Sequence, residues 1–114
     1  MAKKSIAKSA LPIHLKKHLE TLGKNLQTAR KRRRMTQKEL ASRLMCSLPT
    51  IGRLESGDPG ISLNILLQAL WVFGMEDQIT DLASPGNDTV GIQKEIRNLP
   101  RRIRNSPSED KLDF

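Results

Sequence analysis

Residues 35–57, MTQKELASRLMCSLPTIGRLESG, decide the fold of this 114-residue chain. Thr36 followed three residues later by Glu39 is a capping box, in which a hydroxyl and a carboxyl each satisfy a backbone N–H that the helix start leaves unpaired. It opens a helix from about Gln37 to Leu44, with Leu40, Ala41 and Leu44 on its apolar face. Ser47 is a second N-cap. Leu48 then becomes the first helical residue and Pro49 the second, where the missing N–H removes no intrahelical bond. The proline starts this helix and does not break it. Ile51 and Leu54 point inward, and Gly57 stops the element ahead of the Asp58-Pro59-Gly60 turn.

Upstream, Leu15, Leu19, Leu22, Leu26 and Ala29 recur at helical steps and predict a core-facing first helix that ends near Arg34. Downstream, a fourth helix follows Ser62 and a short fifth is expected from about Glu76 to Leu82. Ser84-Pro85-Gly86-Asn87-Asp88 marks the end of the compact region. Beyond it lie a short helix around Gln93 to Asn98, a break at Pro100, the cluster Arg101-Arg102-Ile103-Arg104 and a tail rich in Ser, Pro and acids. With two Phe, one Trp, no Tyr and no alternating strand pattern, the chain reads as all-α. Its organisation reads as a flexible basic arm over residues 1–14, a helical domain over 15–84 and an extension over 85–114 that binds a partner or lacks order of its own.

The net charge of +8 favours a polyanionic partner, with nucleic acid ahead of an anionic membrane. Residues 1–34 net +10, residues 35–93 net −4 and residues 94–114 net +2, so the basicity is concentrated ahead of the central motif. The most apolar run, Ile61 to Met75, is interrupted by Ser62, Asn64 and Gln68 and falls short of the roughly 20 residues that a membrane span needs. One cysteine cannot form an internal disulfide, and no secretory leader is apparent, so a cytoplasmic, nucleoid-associated protein is expected.

Enzyme chemistry finds little support. His14 and His18 have the spacing of a helical metal pair but lack a third ligand, and read as surface residues. Cys46 reads as a small half-buried side chain without an activating partner. No phosphate-cradling glycine loop, nucleophile elbow or paired catalytic carboxylates occur, so neither a catalytic residue nor a cofactor is expected.

Two helices of about eight residues joined by a turn of three or four match the spacing that lets a second helix enter a DNA major groove. A helical hairpin without a ligand is the plainer alternative. The pattern Thr36-Gln37-x-Glu39-Leu40-Ala41, then Ser47-x-x-Thr50-Ile51-x-Arg53-Leu54-Glu55-x-Gly57, resembles the xenobiotic-response-element family of helix-turn-helix regulators, which includes the Cro- and C1-type phage repressors. The resemblance covers about residues 20–82. It implies a five-helix, lambda-repressor-like domain that binds double-stranded DNA.

By position, the resemblance makes Gln37 and Ser47 phosphate contacts and places Leu48, Pro49, Thr50, Gly52 and Arg53 on the groove-facing surface. It makes Arg30 and Glu55 a structural pair that ties the first helix to the recognition helix. Three departures stand out. Met45 and Arg34 occupy positions where the family usually has glycine, and Leu48 with Pro49 replaces a pair of polar base readers. An apolar pair can touch a thymine methyl but cannot form bidentate hydrogen bonds, which leaves Arg53 as the strongest candidate to read a guanine O6 and N7. DNA shape adds to the expected specificity. The run Arg30 to Arg34 complements the dipole of a helix end. Beside a DNA-binding motif, Arg33 and Arg34 are candidate phosphate clamps.

The fourth helix carries more apolar groups than one core stripe requires. If Leu63, Leu66, Leu67 and Leu70 face inward, then Ile65, Ala69, Trp71, Val72 and Phe73 are left for a homodimer interface, and a dimer would bind an inverted repeat. Residues 88–104, DTVGIQKEIRNLPRRIR, with the terminal Leu112-Asp113-Phe114, look like the extension of HipB-like antitoxins. That resemblance implies an autorepressor whose partner is a HipA-type serine/threonine kinase toxin, alone or with a small companion protein. A phage-type or metabolic repressor without a toxin, and a protein-binding adaptor built on the same fold, are the competing readings.

Overall fold

The computed structural model describes residues 10–100 of the chain. Expectations for the first nine residues, the Arg101 to Arg104 cluster and the terminal Leu112 to Phe114 lie outside them. The described residues form six α-helices and no strand. They are α1 (Ile13–Arg32), α2 (Gln37–Leu44), α3 (Leu48–Ser56), α4 (Leu63–Val72), α5 (Asp77–Asp81) and α6 (Thr89–Arg97), with a single 3₁₀ turn at Pro85–Asn87 before α6. The compact units divide between Ile79 and Thr80, inside α5 and ahead of the break that composition marks at Ser84-Pro85.

Three serine or threonine caps punctuate the first unit. Thr36 and Glu39 complete their capping box, with the Thr36 N–H donating to Glu39 Oε1 at 2.7 Å and the Glu39 N–H to Thr36 Oγ1 at 3.0 Å. Ser47 accepts from the Thr50 N–H and Ser62 from the Ile65 N–H, at 3.3 and 3.2 Å. Each hydroxyl satisfies one donor that the helix itself cannot pair. Between α1 and α2, and again between α2 and α3, the chain turns through a left-handed residue, Arg34 (φ 54°) and Met45 (φ 55°). These are the two positions at which the sequence departs from the family's glycines.

Leu26 and Ala29 of α1, Leu40, Ala41 and Leu44 of α2, Ile51 and Leu54 of α3, Ala69 and Leu70 of α4, and Phe73 just beyond it form one core. Leu40 and Ile51 are fully enclosed, and truncating either to alanine costs on the order of 2–5 kcal/mol. The backbones of α1 and the end of α3 approach closely. A methyl on Gly23 would overlap the Glu55 carbonyl oxygen, and one on Gly57, itself at φ 80°, would overlap the Leu19 carbonyl oxygen.

Two sequence expectations change here. The α1 stripe is only half covered: Leu26 and Ala29 are buried and Leu19 is half-buried, while Leu15 and Leu22 remain exposed. Helix α4 is rotated from the expected phase. Ala69 and Phe73, assigned from sequence to an interface, are core residues, and Ile65 and Val72 pack half-buried against that core. Leu63 and Leu67, expected to face inward, are exposed together with Trp71, at 75%, 42% and 65%. An almost wholly apolar helix does not encode its own phase; the Leu26, Ala29 and Leu40 surface that it meets selects it.

In the second unit, α6 begins at Thr89, four residues before the expected start, because Asp88 caps it by accepting from the Gly91 N–H at 2.8 Å. None of its residues is buried.

Candidate nucleic-acid interface

Helix α3 presents Ser47, Leu48, Pro49 and Arg53 as exposed side chains, with Thr50 and Gly52 half-exposed between them. Its N-terminal turn is organised by hydroxyls. Ser47 Oγ and Thr50 Oγ1 share a hydrogen bond at 2.8 Å, and Arg53 Nη2 donates to Thr50 Oγ1 at 3.2 Å. Ser47, Thr50 and Arg53 therefore form a polar row along one edge of the exposed face, spaced by three residues. Leu48 and Pro49 flank that row. The Arg53 guanidinium spends one N–H on Thr50, and its remaining donors are free to meet a base edge or a phosphate.

What holds this face in place lies behind it. Arg30 Nε donates to Glu55 Oε2 at 2.6 Å and Nη2 to Glu55 Oε1 at 3.1 Å, while Nη1 donates to the Met35 carbonyl at 2.8 Å. Both side chains are buried, and every buried polar side-chain atom among the described residues has a partner. The brace thus joins the end of α1, the α1–α2 turn and the last turn of α3. Gln37 supplies a further arm, its Nε2 donating to Glu55 Oε1 at 2.9 Å. A phosphate-facing Gln37 was the sequence expectation; in the structure its amide N–H₂ is engaged by the Glu55 carboxylate, which the chain brings back from 18 positions away.

Arg33, exposed like its neighbours, also makes bonds within the domain. It is a candidate phosphate clamp from the sequence, and in the structure Nη1 donates to the Ala29 carbonyl and Nη2 to the Phe73 carbonyl, both at 2.8 Å. Its guanidinium carbon lies 5.2 Å from the Phe73 ring centroid, within cation–π range. Arg33 therefore ties the end of α1 to the end of α4. Arg34 is exposed beside it, as are Lys31 and Arg32. The basic run from Lys31 to Arg34 is therefore exposed throughout, with Arg33 also bonded within the domain.

Cys46 sits half-buried in the turn between α2 and α3, and burial pushes its thiol pKa up, which disfavours the reactive thiolate. His14 and His18 are exposed on α1. Gly23, which sets the approach of α1 to α3, and Phe73, which receives Arg33, were not singled out as supports from the sequence. A glycine inside an otherwise strongly helical segment was the available signal for Gly23.

A family model described as helix-turn-helix domain matches residues 21–82. Neither a curated protein nor a solved structure matches the chain.

Proposed function

The chain belongs to the helix-turn-helix domain family, and from that premise we propose a sequence-specific transcriptional repressor, the antitoxin and autoregulator of an operon that also encodes a HipA-type serine/threonine kinase toxin. The carrying observation is the exposed face of α3. Its tip is apolar, one edge is a hydroxyl row ending in Arg53, and it is held at the rear by the buried Arg30–Glu55 brace. A recognition helix needs that combination: side chains that reach base edges on an element rigid enough to fix their register. Ser47 and Arg34 flank the face as phosphate contacts, and Arg53 reads a guanine.

A homodimer presents two such helices to an inverted repeat, and the exposed Leu63, Leu67 and Trp71 offer the surface for it. Leu63 also lines a groove of about 330 Å³ with Leu19, Leu22, Leu54, Ile61 and Leu66. The run from Ile61 to Met75 has no charged residue, so two copies of a chain of net charge +8 meet there without apposing like charges.

The partner reading rests on α6. Ile92 and Ile96 on α6 and Leu99 just beyond its end are exposed, apolar side chains in the segment that resembles HipB-like antitoxins. Such side chains suit helix-in-groove docking onto a folded protein.

Footprinting of the full chain on the DNA upstream of its own gene tests the repressor reading. A protected inverted repeat with half-sites about one turn apart, roughly 34 Å, is expected. Co-purification with the product of the adjacent gene tests the toxin reading. Protection without a kinase-like neighbour favours a repressor of another kind, and binding to random DNA without a footprint favours the adaptor.

A further inference from the structure

Leu63, Leu67 and Trp71 recur at intervals of four along α4 and are exposed at 75%, 42% and 65%. Residues four apart form the ridge that the commonest class of helix–helix packing uses. Asn64 and Gln68 border this ridge and bond to each other at 2.9 Å, so their amides find a partner beside it. Trp71 is the single tryptophan of the chain. Left in water, a side chain of that size forgoes the large burial that an interface would give it.

The ridge begins at a groove. Leu63 lines it with Leu19 and Leu22 of α1, Leu54 of α3 and Leu66, and no lysine or arginine is among its lining residues. At about 330 Å³ it lies at the small end of ligand-sized sites, on the scale of one large aromatic side chain. The spacing of the ridge says which side chain. A two-fold axis through Leu67 reverses the ridge of a second copy, so that residues four before and four after the axis face each other. Trp71 of one copy then meets Leu63 of the other at the mouth of the groove, and the same contact recurs on the far side of the axis. Neither the ridge nor the groove brings a basic group to a contact between two chains of net charge +8.

We propose that this groove between α1, the end of α3 and α4 is the seat of Trp71 from a second copy of the chain. This rests on the homodimer reading above and adds its register and its anchor. Each copy gives one indole and receives one, so the contact closes at two chains and does not extend into a filament. Tryptophan held in an apolar site, with water excluded around it, is among the side chains that dominate interface energetics. Leu67 packs at the axis, and the two seats lie on either side of it.

The test uses the full chain, whose single tryptophan reports on its own surroundings. Its emission and its quenching by acrylamide are followed on dilution, with light scattering at the same concentrations. As the dimer forms, emission should shift to the blue and quenching should fall several-fold. Trp71→Ala should raise the dimer dissociation constant by roughly thirtyfold, with Trp71→Phe between it and wild type. Leu22→Lys changes the seat from α1, outside the ridge. It should weaken the dimer by roughly tenfold or more and leave the tryptophan open to acrylamide, with the helical circular dichroism unchanged. Leu63→Lys, at a position 75% exposed, should do the same and keeps the test sound where Leu22→Lys disturbs folding. A wild-type dimer whose tryptophan is quenched as readily as in the monomer, or a dimer that both lysine variants leave intact, overturns the seat alone. A chain that stays monomeric at micromolar concentration, with and without its operator, overturns the seat and the homodimer reading together.

Discussion

Arg30 and Glu55 face each other between α1 and α3 with both guanidinium–carboxylate bonds made, at 2.6 and 3.1 Å, and both side chains are buried. Removing one partner strands the other charge in the interior. Glu55→Ala should therefore lower stability by about 3–5 kcal/mol, a large share of the whole for a domain of this size. Arg30→Met combined with Glu55→Leu should cost clearly less than the sum of the single changes, because neither charge is then left alone. Urea denaturation of the singles and the double decides it; additive losses would mean that the pair acts only as separate packing groups.

Met45 occupies the left-handed turn between α2 and α3 at φ 55° and is 93% exposed, so its side chain packs against almost nothing. A residue with a Cβ costs roughly 1–2 kcal/mol in that conformation, and glycine avoids it at the expense of a looser unfolded chain. Met45→Gly should stabilise the domain by about 1 kcal/mol. An unchanged or lower denaturation midpoint would show that the turn is not strained.

Glu39 is held below the usual carboxylate range, first by the Thr36 backbone N–H, then by the Thr36 hydroxyl and the charge of Arg43. A lowered folded pKa contributes stability that is complete above the unfolded value and disappears as pH falls through the folded value. Glu39→Gln keeps an oxygen for the Thr36 N–H but cannot titrate. The stability advantage of wild type over this variant should therefore be full at about pH 7 and shrink as pH falls below the usual carboxylate range. A gap between the two denaturation curves that stays constant as the pH is lowered would exclude the carboxylate charge as the source.

The capped helices were legible because their instructions are local: Thr36 with Glu39, Ser47 with Pro49, and Gly57 are all read within one turn of where they act. Asp88 carries the same kind of local signal for α6, one turn ahead of the start that the apolar pattern predicts. The phase of α4 was not legible, since LNILLQALWV offers apolar groups on every side and only its tertiary neighbours choose among them. For the same reason the exposed face of α3 was found by position, whereas the engagement of Gln37 by Glu55 and of Arg33 by Phe73 was not. Those contacts span 18 and 40 residues. Sequence pattern places a side chain on a face; it does not say which distant carbonyl or carboxylate will claim it.

The outward stripe Leu63, Leu67 and Trp71 gives the dimer a specific test. Leu67→Glu puts a charge at the middle of that stripe on a side chain that is 42% exposed, so the monomer should still fold. Light scattering should then show a dimer for wild type at micromolar concentration and a monomer for the variant, with the helical circular dichroism of both unchanged. A wild-type monomer, with and without operator DNA, would remove the dimer from the reading.

Arg53 and Arg33 differ in what they hold, and that difference separates reading from support. Arg53 is exposed, and its one internal bond is to Thr50, which orients the guanidinium along the recognition face. Arg53→Ala should cost about 1–3 kcal/mol at the specific site and relax preference at one base pair per half-site. Arg33 bonds the carbonyls of Ala29 and Phe73 and lies over the Phe73 ring. Arg33→Ala should lower domain stability by about 1–2 kcal/mol and leave the salt dependence of DNA binding unchanged, whereas loss of a phosphate contact makes that slope shallower by about one. Arg34→Ala, at the exposed neighbour, should give the shallower slope and weaken all sequences alike. Titrations of the three variants on operator and scrambled duplexes at two salt concentrations, with a thermal melt of each, distinguish the roles. A shallower slope for Arg33→Ala with an unchanged melt would return that residue to the phosphate backbone, and equal losses on both duplexes for Arg53→Ala would move base reading to another residue of α3.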